Sequence, residues 1–284
     1  VSRDYATTVF LEEGVIFDDK GKAIDIAGSS FFIKDSRIKP SPAKILINAN
    51  GALRSISNVL NKPPLKLLDR LQQPVNFGNA QISGKGRVEV LLKSNLTSDE
   101  ITYEVEGTAK KFSSHVINPD FIISNGTLDF FANKKGLEIK GNAKVKNLPV
   151  QAEFSGSIVE DDAKFLEIDF SLSEKALEML PDGFSDIKIS GSAPAKLSLK
   201  FLESKKVKFE LTSSLNGVEL SYPPIGWVKE MKDEAELRVS GSLGDEVVIE
   251  DIFLSSPDLA LVGSALRKKD EKFSLNFEKL ALKD

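Results

Sequence analysis

The side chains that most often carry enzyme chemistry are scarce in this chain. It has no cysteine and one histidine, His115. Neither a thiolate nucleophile nor a metal site built on several cysteine or histidine ligands can therefore form within one copy. His115 stands outside any alternating pattern, which predicts a surface position in a loop or at a strand end rather than a catalytic role.

The short motifs of nucleotide-binding and hydrolase sites are also missing. The sequence contains no Gly-x-Ser-x-Gly and no Walker-type Gly-Lys-Ser/Thr, and Gly84–Gly86 is too short for a dinucleotide fingerprint. Carboxylates cluster at Asp18–Asp19, Asp99–Glu100 and Glu160–Asp162, without the spacing of a calcium loop. We therefore expect a protein that is not an enzyme and has no catalytic residues, metal or cofactor.

Composition favours a folded domain and argues against a nucleic-acid partner. Of the 284 residues, 41% are hydrophobic and 28% are charged, with a net charge of −4, whereas nucleic-acid binders usually carry a basic surplus. No stretch reaches the roughly 18 apolar residues of a transmembrane helix. The chain starts at Val1 and ends just after an alternating run, so we expect a fragment whose targeting or anchoring segment lies outside it.

Alternation of apolar and charged residues dominates the chain and indicates the elements that could position a site. A clear example runs from Leu137 to Lys146, and similar runs cover residues 101–105, 166–172, 195–201, 207–211, 235–239 and 273–277. Each run predicts a strand with one face in water. Because crossover helices are missing, we predict a mostly β, antiparallel fold. Helical patterns are limited to a short pair near residues 52–72, broken at Pro63–Pro64, and a turn or two from Ser173 to Leu180.

Nine glycines fall in the apolar register of these runs, and they are the most distinctive feature of the sequence. They are Gly28, Gly51, Gly84, Gly107, Gly141, Gly156, Gly191, Gly241 and Gly263. Glycine weakens a flat strand, and sheets use glycine kinks to curl. We therefore predict a strongly curved, taco-like sheet around an apolar groove. Turn glycines or bulges that share the register are the alternative.

The predicted groove would be lined by aliphatic and phenylalanine side chains. Phe is 18 of the residues, whereas Trp is 1 and Tyr 3, which argues against a sugar-binding cleft. Packing in a closed core is an equal alternative for each lining residue. The candidates are Ile139, Val145, Phe154, Ile168, Phe170, Leu197, Leu199, Phe201, Phe209 and Leu211.

Three stretches of the sequence carry motifs that occur together in a known family. The first is Ile47–Leu53, followed by the helical pattern and Pro63–Leu65, and the second is the glycine-led strand Gly84–Leu92. The third is Tyr222–Lys229, which contains the one tryptophan. Together they resemble the AsmA-like superfamily of Gram-negative envelope proteins, and within it the YhdP-like group, whose Leu-Pro-x-Leu-Gly-Trp-x-Lys stretch is similar to the third. Gly226, Trp227 and Lys229 are the family-motif residues in it; Trp227 would mark either simple packing or a groove mouth.

The resemblance implies a repeating β-groove that passes phospholipid between the inner and outer membranes. It also implies a periplasmic location and an inner-membrane anchor outside this fragment, with a possible protein partner in the envelope. Burying an acyl chain away from water contributes about 0.8 kcal/mol for each CH₂ group. An apolar groove can bury such a chain without any catalytic group.

Two organisations and two functions remain open at this point. Residues 1–284 are expected to form one continuous groove, with a possible subdivision near residue 173 into 1–172 and 173–284. A lipid-binding and lipid-transfer module is the leading hypothesis. The alternative is a closed β-sandwich that serves as a structural or interaction scaffold of a cell-envelope complex.

Overall fold

The computed structural model describes residues 5–62, 78–94, 96–97, 100–116, 121–157, 164–179, 186–202, 206–268 and 273–282. Over these residues the protein is mostly antiparallel β with few helices, as the alternation predicted. Each alternating run named above coincides with a strand to within one residue at its ends, because one apolar and one charged face suit a pleated sheet that is open to water on one side.

The chain divides into two compact units. The first unit is Val1–Val145 with Ser157–Glu160, and the second is Lys146–Gly156 with Asp161–Asp284. The division thus falls between residues 145 and 161, earlier than the subdivision near residue 173 that the sequence suggested.

The first unit is an antiparallel sheet in the order β1–β4–β5–β6–β7–β8–β9, with β2 paired to β3 and β3 paired to β5. Its elements are β1 (Thr7–Phe10), β2 (Val15–Phe17), β3 (Ala23–Asp25), β4 (Ser30–Ile33), β5 (Ser41–Ala52), α1 (Leu53–Leu60), β6 (Asn79–Leu92), β7 (Thr102–Ser114), β8 (Ile123–Asn133) and β9 (Gly136–Val145).

Helix α1 confirms the first half of the predicted helical pair; residues 63–72 lie outside the described residues. It packs against β3, β5 and β6. Its buried residues are Ser55 and Ser57, whereas the apolar stripe that includes Ile56 is half-buried. Small serine side chains allow the helix to approach the strands closely, and the sequence pattern did not indicate this.

The second unit has a large and a small antiparallel sheet. The large sheet has the order β10–β11–β13–β14–β17–β18–β19–β20, and the small one has the order β12–β15–β16. The elements are β10 (Leu148–Ser157), β11 (Lys164–Leu172), α2 (Glu174–Leu177), β12 (Lys188–Gly191), β13 (Ala193–Phe201), β14 (Val207–Ser213), β15 (Val218–Tyr222), a 3₁₀ turn (Pro223–Ile225), β16 (Trp227–Lys229), β17 (Glu236–Leu243), β18 (Val247–Ser255), β19 (Leu259–Arg267) and β20 (Ser274–Leu282).

The glycines fall into different classes, and the four described here fit the alternative of turn glycines and bulges. Gly28 and Gly191 have φ angles of +80° and +85°, so they are glycines of turns or strand ends, where a left-handed backbone is required. Gly241 and Gly263 lie at register shifts in the large sheet. A side chain at Gly241 would collide with the Val248 carbonyl, so close backbone approach at a bulge explains this glycine.

The dipeptide Asn125–Gly126 is typical of a chain-reversing turn, but it forms no turn between strands here. Both residues lie inside β8, where Asn125 has a φ angle of 52° and the register with β9 shifts between Ser124 and Thr127. Asn-Gly is a strong hairpin signal because both residues tolerate positive φ, and the same tolerance serves a bulge here.

Candidate functional site

The large sheet of the second unit has one continuous apolar face. Residues that are directly opposite each other on neighbouring strands form cross-strand rows, because such pairs share a face of the sheet. The first row is Ala152, Ile168, Leu197, Leu211, Val239, Ile252, Gly263 and Phe277; the second is Phe154, Leu166, Leu199, Phe209, Gly241, Ile249, Ala265 and Leu275; the third is Val150, Phe170, Ala195, Ser213, Leu237, Leu254, Leu261 and Leu280. These three rows are called the apolar face below.

Eight of the ten predicted lining residues lie on this sheet, on four neighbouring strands. Leu199 of β13, for example, is opposite Leu166 of β11 and Phe209 of β14. Seven belong to the three rows, and Phe201 continues the same face opposite Val207. The eight are Phe154, Ile168, Phe170, Leu197, Leu199, Phe201, Phe209 and Leu211, and all of them are half-buried.

Half-burial distinguishes these residues from those of a closed core. Neighbours within one sheet cover the sides of a side chain, whereas a residue between two packed layers is removed from water almost completely. The fully buried apolar residues of this unit include Leu215 and Val218, with 0% exposure, beside the small sheet. The eight candidates therefore keep part of their apolar surface in contact with solvent, whereas Val150, Ala195, Ile249 and Ala265 of the same face are buried.

The remaining two candidates lie in the first unit. Ile139 on β9 is opposite Phe130 on β8, and Val145 is opposite Ile123. Both are half-buried. The ten candidates are thus divided between the two units, eight in the second and two in the first.

Phe130 is a residue of this first-unit face that the sequence analysis missed. Gly84 on β6 is opposite Gly107 on β7, and Gly107 is opposite Phe130. A Cβ atom at Gly107 would lie 2.8 Å from Phe130 Cζ, and one at Gly84 would lie 3.5 Å from it. The ring therefore reaches across two strands and fills space that the glycines leave, an arrangement in which an aromatic neighbour compensates for strand glycine.

Phe112 repeats this arrangement closer to the end of the same sheet. A Cβ atom at Gly78 would lie 2.8 Å from Phe112 Cε2, and one at Gly126 would lie 2.9 Å from Phe112 Cβ. Phe112 itself is buried. Phe112 and Phe130 could have been found from the sequence only by knowing that each is paired with a glycine on the neighbouring strand. That pairing depends on the strand register, which the sequence alone does not show.

The opposite face of the large sheet is charged. Lys196 Nζ lies 2.6 Å from Glu167 Oε2, and Arg238 Nε lies 3.9 Å from Glu210 Oε1. The bond to the Glu167 carboxylate holds the pKa of Lys196 above its ordinary value. Exposed pairs of this kind add little stability. They do keep this face hydrated, so the sheet is amphipathic.

The family-motif residues lie in the small sheet. Gly226 has a φ angle of 69° and ends the 3₁₀ turn, and Trp227 is 9% exposed. Lys229 is 1% exposed, and its Nζ donates to the carbonyl oxygens of Val218 at 2.9 Å and Glu230 at 3.0 Å. Burial lowers the pKa of Lys229. The burial of Trp227 and Lys229 favours packing of this sheet over a position at an open mouth.

Within the described ranges, no three residues among His, Cys, Asp and Glu are grouped so that they could hold a metal ion. His115 is exposed directly after β7, as predicted. None of the described helices is long and apolar enough to cross a membrane. A shallow depression of about 480 Å³ borders the apolar face, with Phe170, Ala195 and Leu237 among its lining residues.

No protein-family model, curated protein or solved structure matches this chain. The fold and the site define a mostly antiparallel β protein whose large second-unit sheet is apolar on one face and charged on the other.

Proposed function

We propose that this protein is a non-enzymatic lipid-binding module that shelters acyl chains on the apolar face. The observation that carries the proposal is the row pattern itself: eight strands present mostly apolar residues opposite one another, and the eight candidates on β10, β11, β13 and β14 are half-buried. Extended apolar surface of this kind typically marks a binding site.

The dimensions of the face suit an acyl chain. Strands in a sheet lie about 4.8 Å apart, so eight strands span roughly 34 Å. One leaflet of a bilayer core is about 15 Å thick, which is the reach of an acyl chain and corresponds to about three strand spacings. Each CH₂ group removed from water contributes about 0.8 kcal/mol, so a chain along one row would be held without any polar contact.

Curvature of the sheet is part of this proposal. Register shifts occur beside Gly241 on β17 and Gly263 on β19, both within the apolar face. Bulges bend the strand that contains them and increase its twist. We propose that these bulges curl the sheet toward its apolar side, so that the face becomes a groove whose open side leaves lipid headgroups in solvent.

The cellular role follows from the resemblance to AsmA-like proteins. We propose that the module works in the periplasm, anchored to the inner membrane outside this fragment, and transfers phospholipid between the two membranes. Transfer of a fluorescent phospholipid from donor to acceptor vesicles tests this step. The protein is expected to accelerate transfer, and an unchanged rate at saturating protein would contradict it.

Lipid binding itself is tested by native mass spectrometry after incubation with vesicles of phosphatidylethanolamine and phosphatidylglycerol. The wild-type protein is expected to retain at least about one phospholipid molecule per protein chain. Leu199→Lys places a charge in the second row of the apolar face and should abolish retention. The matched control is Ser198→Lys, one residue away on the opposite face, between Glu167 and Glu210.

Circular dichroism of both variants separates loss of binding from loss of folding. A folded Leu199→Lys variant without lipid supports the proposal. A lipid-free mass for the wild-type protein would instead favour the structural scaffold and would end the lipid proposal.

A further inference from the structure

A fourth cross-strand row lies beside the second row of the apolar face. Its members are Lys164, Phe201, Val207, Leu243, Val247 and Arg267. The four apolar members lie on the adjacent strands β13, β14, β17 and β18, with a lysine on β11 before them and an arginine on β19 after them. Leu243 is 38% exposed, so this row also keeps apolar surface in contact with solvent.

Lys164 and Arg267 are the only charged residues among the described members of the four rows. Lys164 is opposite Phe201, and Arg267 is opposite Val247, so both belong to the apolar side of the sheet. No salt bridge of the described residues includes either cation. An anion at this border would therefore be attracted by charges that no carboxylate neutralises, beside apolar surface that lowers the local dielectric constant.

The side chain of Arg267 is held in place by an aromatic ring. Its guanidinium carbon lies 5.0 Å from the centroid of the Phe273 ring, and the residue is half-buried. A contact with the face of a ring restricts a guanidinium but uses none of its N–H donors. These donors match the oxygen atoms of a phosphate or a carboxylate.

The opposite end of the same strands has a different character. Leu172 and Ala193, which are opposite each other beyond the third row, are 8% and 1% exposed. Leu148, at the start of β10, is 5% exposed. The chain leaves the large sheet for the small sheet at this end, after Ser213. Burial leaves no room for a charged headgroup here, whereas the fourth row combines open apolar surface with cations.

We propose that the fourth row binds an acyl chain whose headgroup carries a net negative charge, as in an anionic phospholipid. This inference rests on the proposed lipid-binding function and names the class of lipid. The four apolar members span three strand spacings, about 14 Å, which matches the reach of an acyl chain, about 15 Å. Because a cation lies at each end of this length, the headgroup meets Lys164 or Arg267 in either direction of the chain.

The overall charge of the protein does not predict this preference. The net charge is −4, which by itself would repel an anionic lipid. Preference for such a lipid therefore has to come from cations placed next to the apolar surface. Lys200 and Lys208, which are opposite each other near the same end of the sheet, lie on its charged face and provide a matched control.

Competition between two lipids tests the proposal. Native mass spectrometry follows incubation with vesicles of equal parts phosphatidylglycerol, which is anionic, and phosphatidylethanolamine, which has no net charge. The wild-type protein is expected to retain phosphatidylglycerol in about threefold excess or more. Lys164→Gln combined with Arg267→Gln should reduce this ratio to about one. Lys200→Gln combined with Lys208→Gln removes the same charge from the other face and should leave the ratio unchanged.

Two measurements on the wild-type protein need no variant. A rise in ionic strength from about 0.05 M to about 0.5 M should lower the excess of phosphatidylglycerol, because salt screens exposed charges. Inorganic phosphate has no acyl chain and should leave the excess unchanged. Loss of the excess in phosphate at constant ionic strength would identify a site for free anions instead and would overturn the proposal.

The outcomes separate this proposal from the proposed function. Equal retention of both lipids by the wild-type protein, or an unchanged excess in a folded Lys164→Gln, Arg267→Gln variant, would overturn the role of the two cations and leave acyl-chain binding standing. An equal loss of the excess in the control variant would also overturn it. No retention of either lipid would overturn both proposals.

Discussion

The phenyl ring of Phe130 on β8 occupies the space that a side chain at Gly107 on β7 would need. A Cβ atom at Gly107 would lie 2.8 Å from Phe130 Cζ and 2.7 Å from Gly84 Cα. The glycine is thus required by its neighbours on both sides of the strand. The sequence showed Gly107 as a glycine in the apolar register of a strand, but it did not show that the Phe130 ring packs against it.

Gly107→Ala is expected to destabilise the protein by about 1–3 kcal/mol, the usual cost of overpacking. Gly86→Ala is the matched control on the neighbouring strand, because its nearest neighbour would be Val105 Cγ2 at 3.7 Å. That change should be neutral or stabilising by up to about 1 kcal/mol. The free energy of unfolding from urea titrations distinguishes the two, and equal effects would contradict this account of Gly107.

Phe130→Ala is expected to lower the free energy of unfolding by about 1.5–3 kcal/mol, less than a fully buried phenylalanine, because Phe130 is half-buried. Its loss uncovers both Gly84 and Gly107. Phe131→Ala is the control on the opposite face, where Phe131 is paired with Glu106 and Glu138 and covers no glycine. If Phe131→Ala cost as much in the same urea titrations, the proposed role of the Phe130 ring would be wrong.

Lys229→Met should destabilise the second unit by about 1–3 kcal/mol, because two carbonyl groups lose their donor. The Val218 carbonyl belongs to a residue with 0% exposure. Lys232→Met is the control, since Lys232 is exposed and bonds Glu230 Oε2 at the surface; it should change little. Thermal or urea unfolding followed by the fluorescence of buried Trp227 reports on this sheet directly.

Lys229 should also make the stability of the second unit depend on pH. Burial lowers the pKa of Lys229 below its ordinary value of 10.5, so between the folded and unfolded values the unfolded chain binds more protons. Stability therefore rises with pH across that window, and the cost of the buried charge is fully present below it. Lys229→Met should lack this rise when urea midpoints are compared from pH 7 to pH 10.5; a parallel pH profile would refute the assignment.

Asp18 should contribute to acid unfolding of the first unit. The backbone N–H of Lys22 donates to Asp18 Oδ1 at 2.9 Å, and this bond holds the pKa of Asp18 below 3.8. The stabilisation is present above 3.8 and is lost as pH falls through the folded value. Asp18→Asn should flatten the loss of stability below pH 4 in urea midpoints. Asp19→Asn, which removes the neighbouring carboxylate and its exposed ion pair with Lys62, is the matched control.

The sequence predicted the strands well because their signal is local. Alternation from Leu137 to Val145 or from Leu197 to Phe201 is set by neighbouring residues, and both segments are strands. The sequence Asn125–Gly126 does not by itself distinguish a hairpin from a bulge, because both can use a positive φ angle and the choice depends on pairing with another strand.

The candidate site was predictable only in part for the same reason. The apolar register identified Leu199 and Phe209 as residues of one face, but their opposition across β13 and β14 is a property of strand order. The filling of Gly107 by Phe130 and the burial of Lys229 between two carbonyls depend on distant partners. A lysine is rarely buried fully, so nothing in the local pattern indicated it.

The most direct test of the central claim places a photo-crosslinking amino acid at Leu199 on the apolar face, or at Ser198 on the charged face, and irradiates each variant with phospholipid. The account predicts a phospholipid adduct at position 199 and almost none at position 198. Equal labelling at both positions, or no adduct at position 199 in a folded protein, would contradict the claim that this face holds acyl chains.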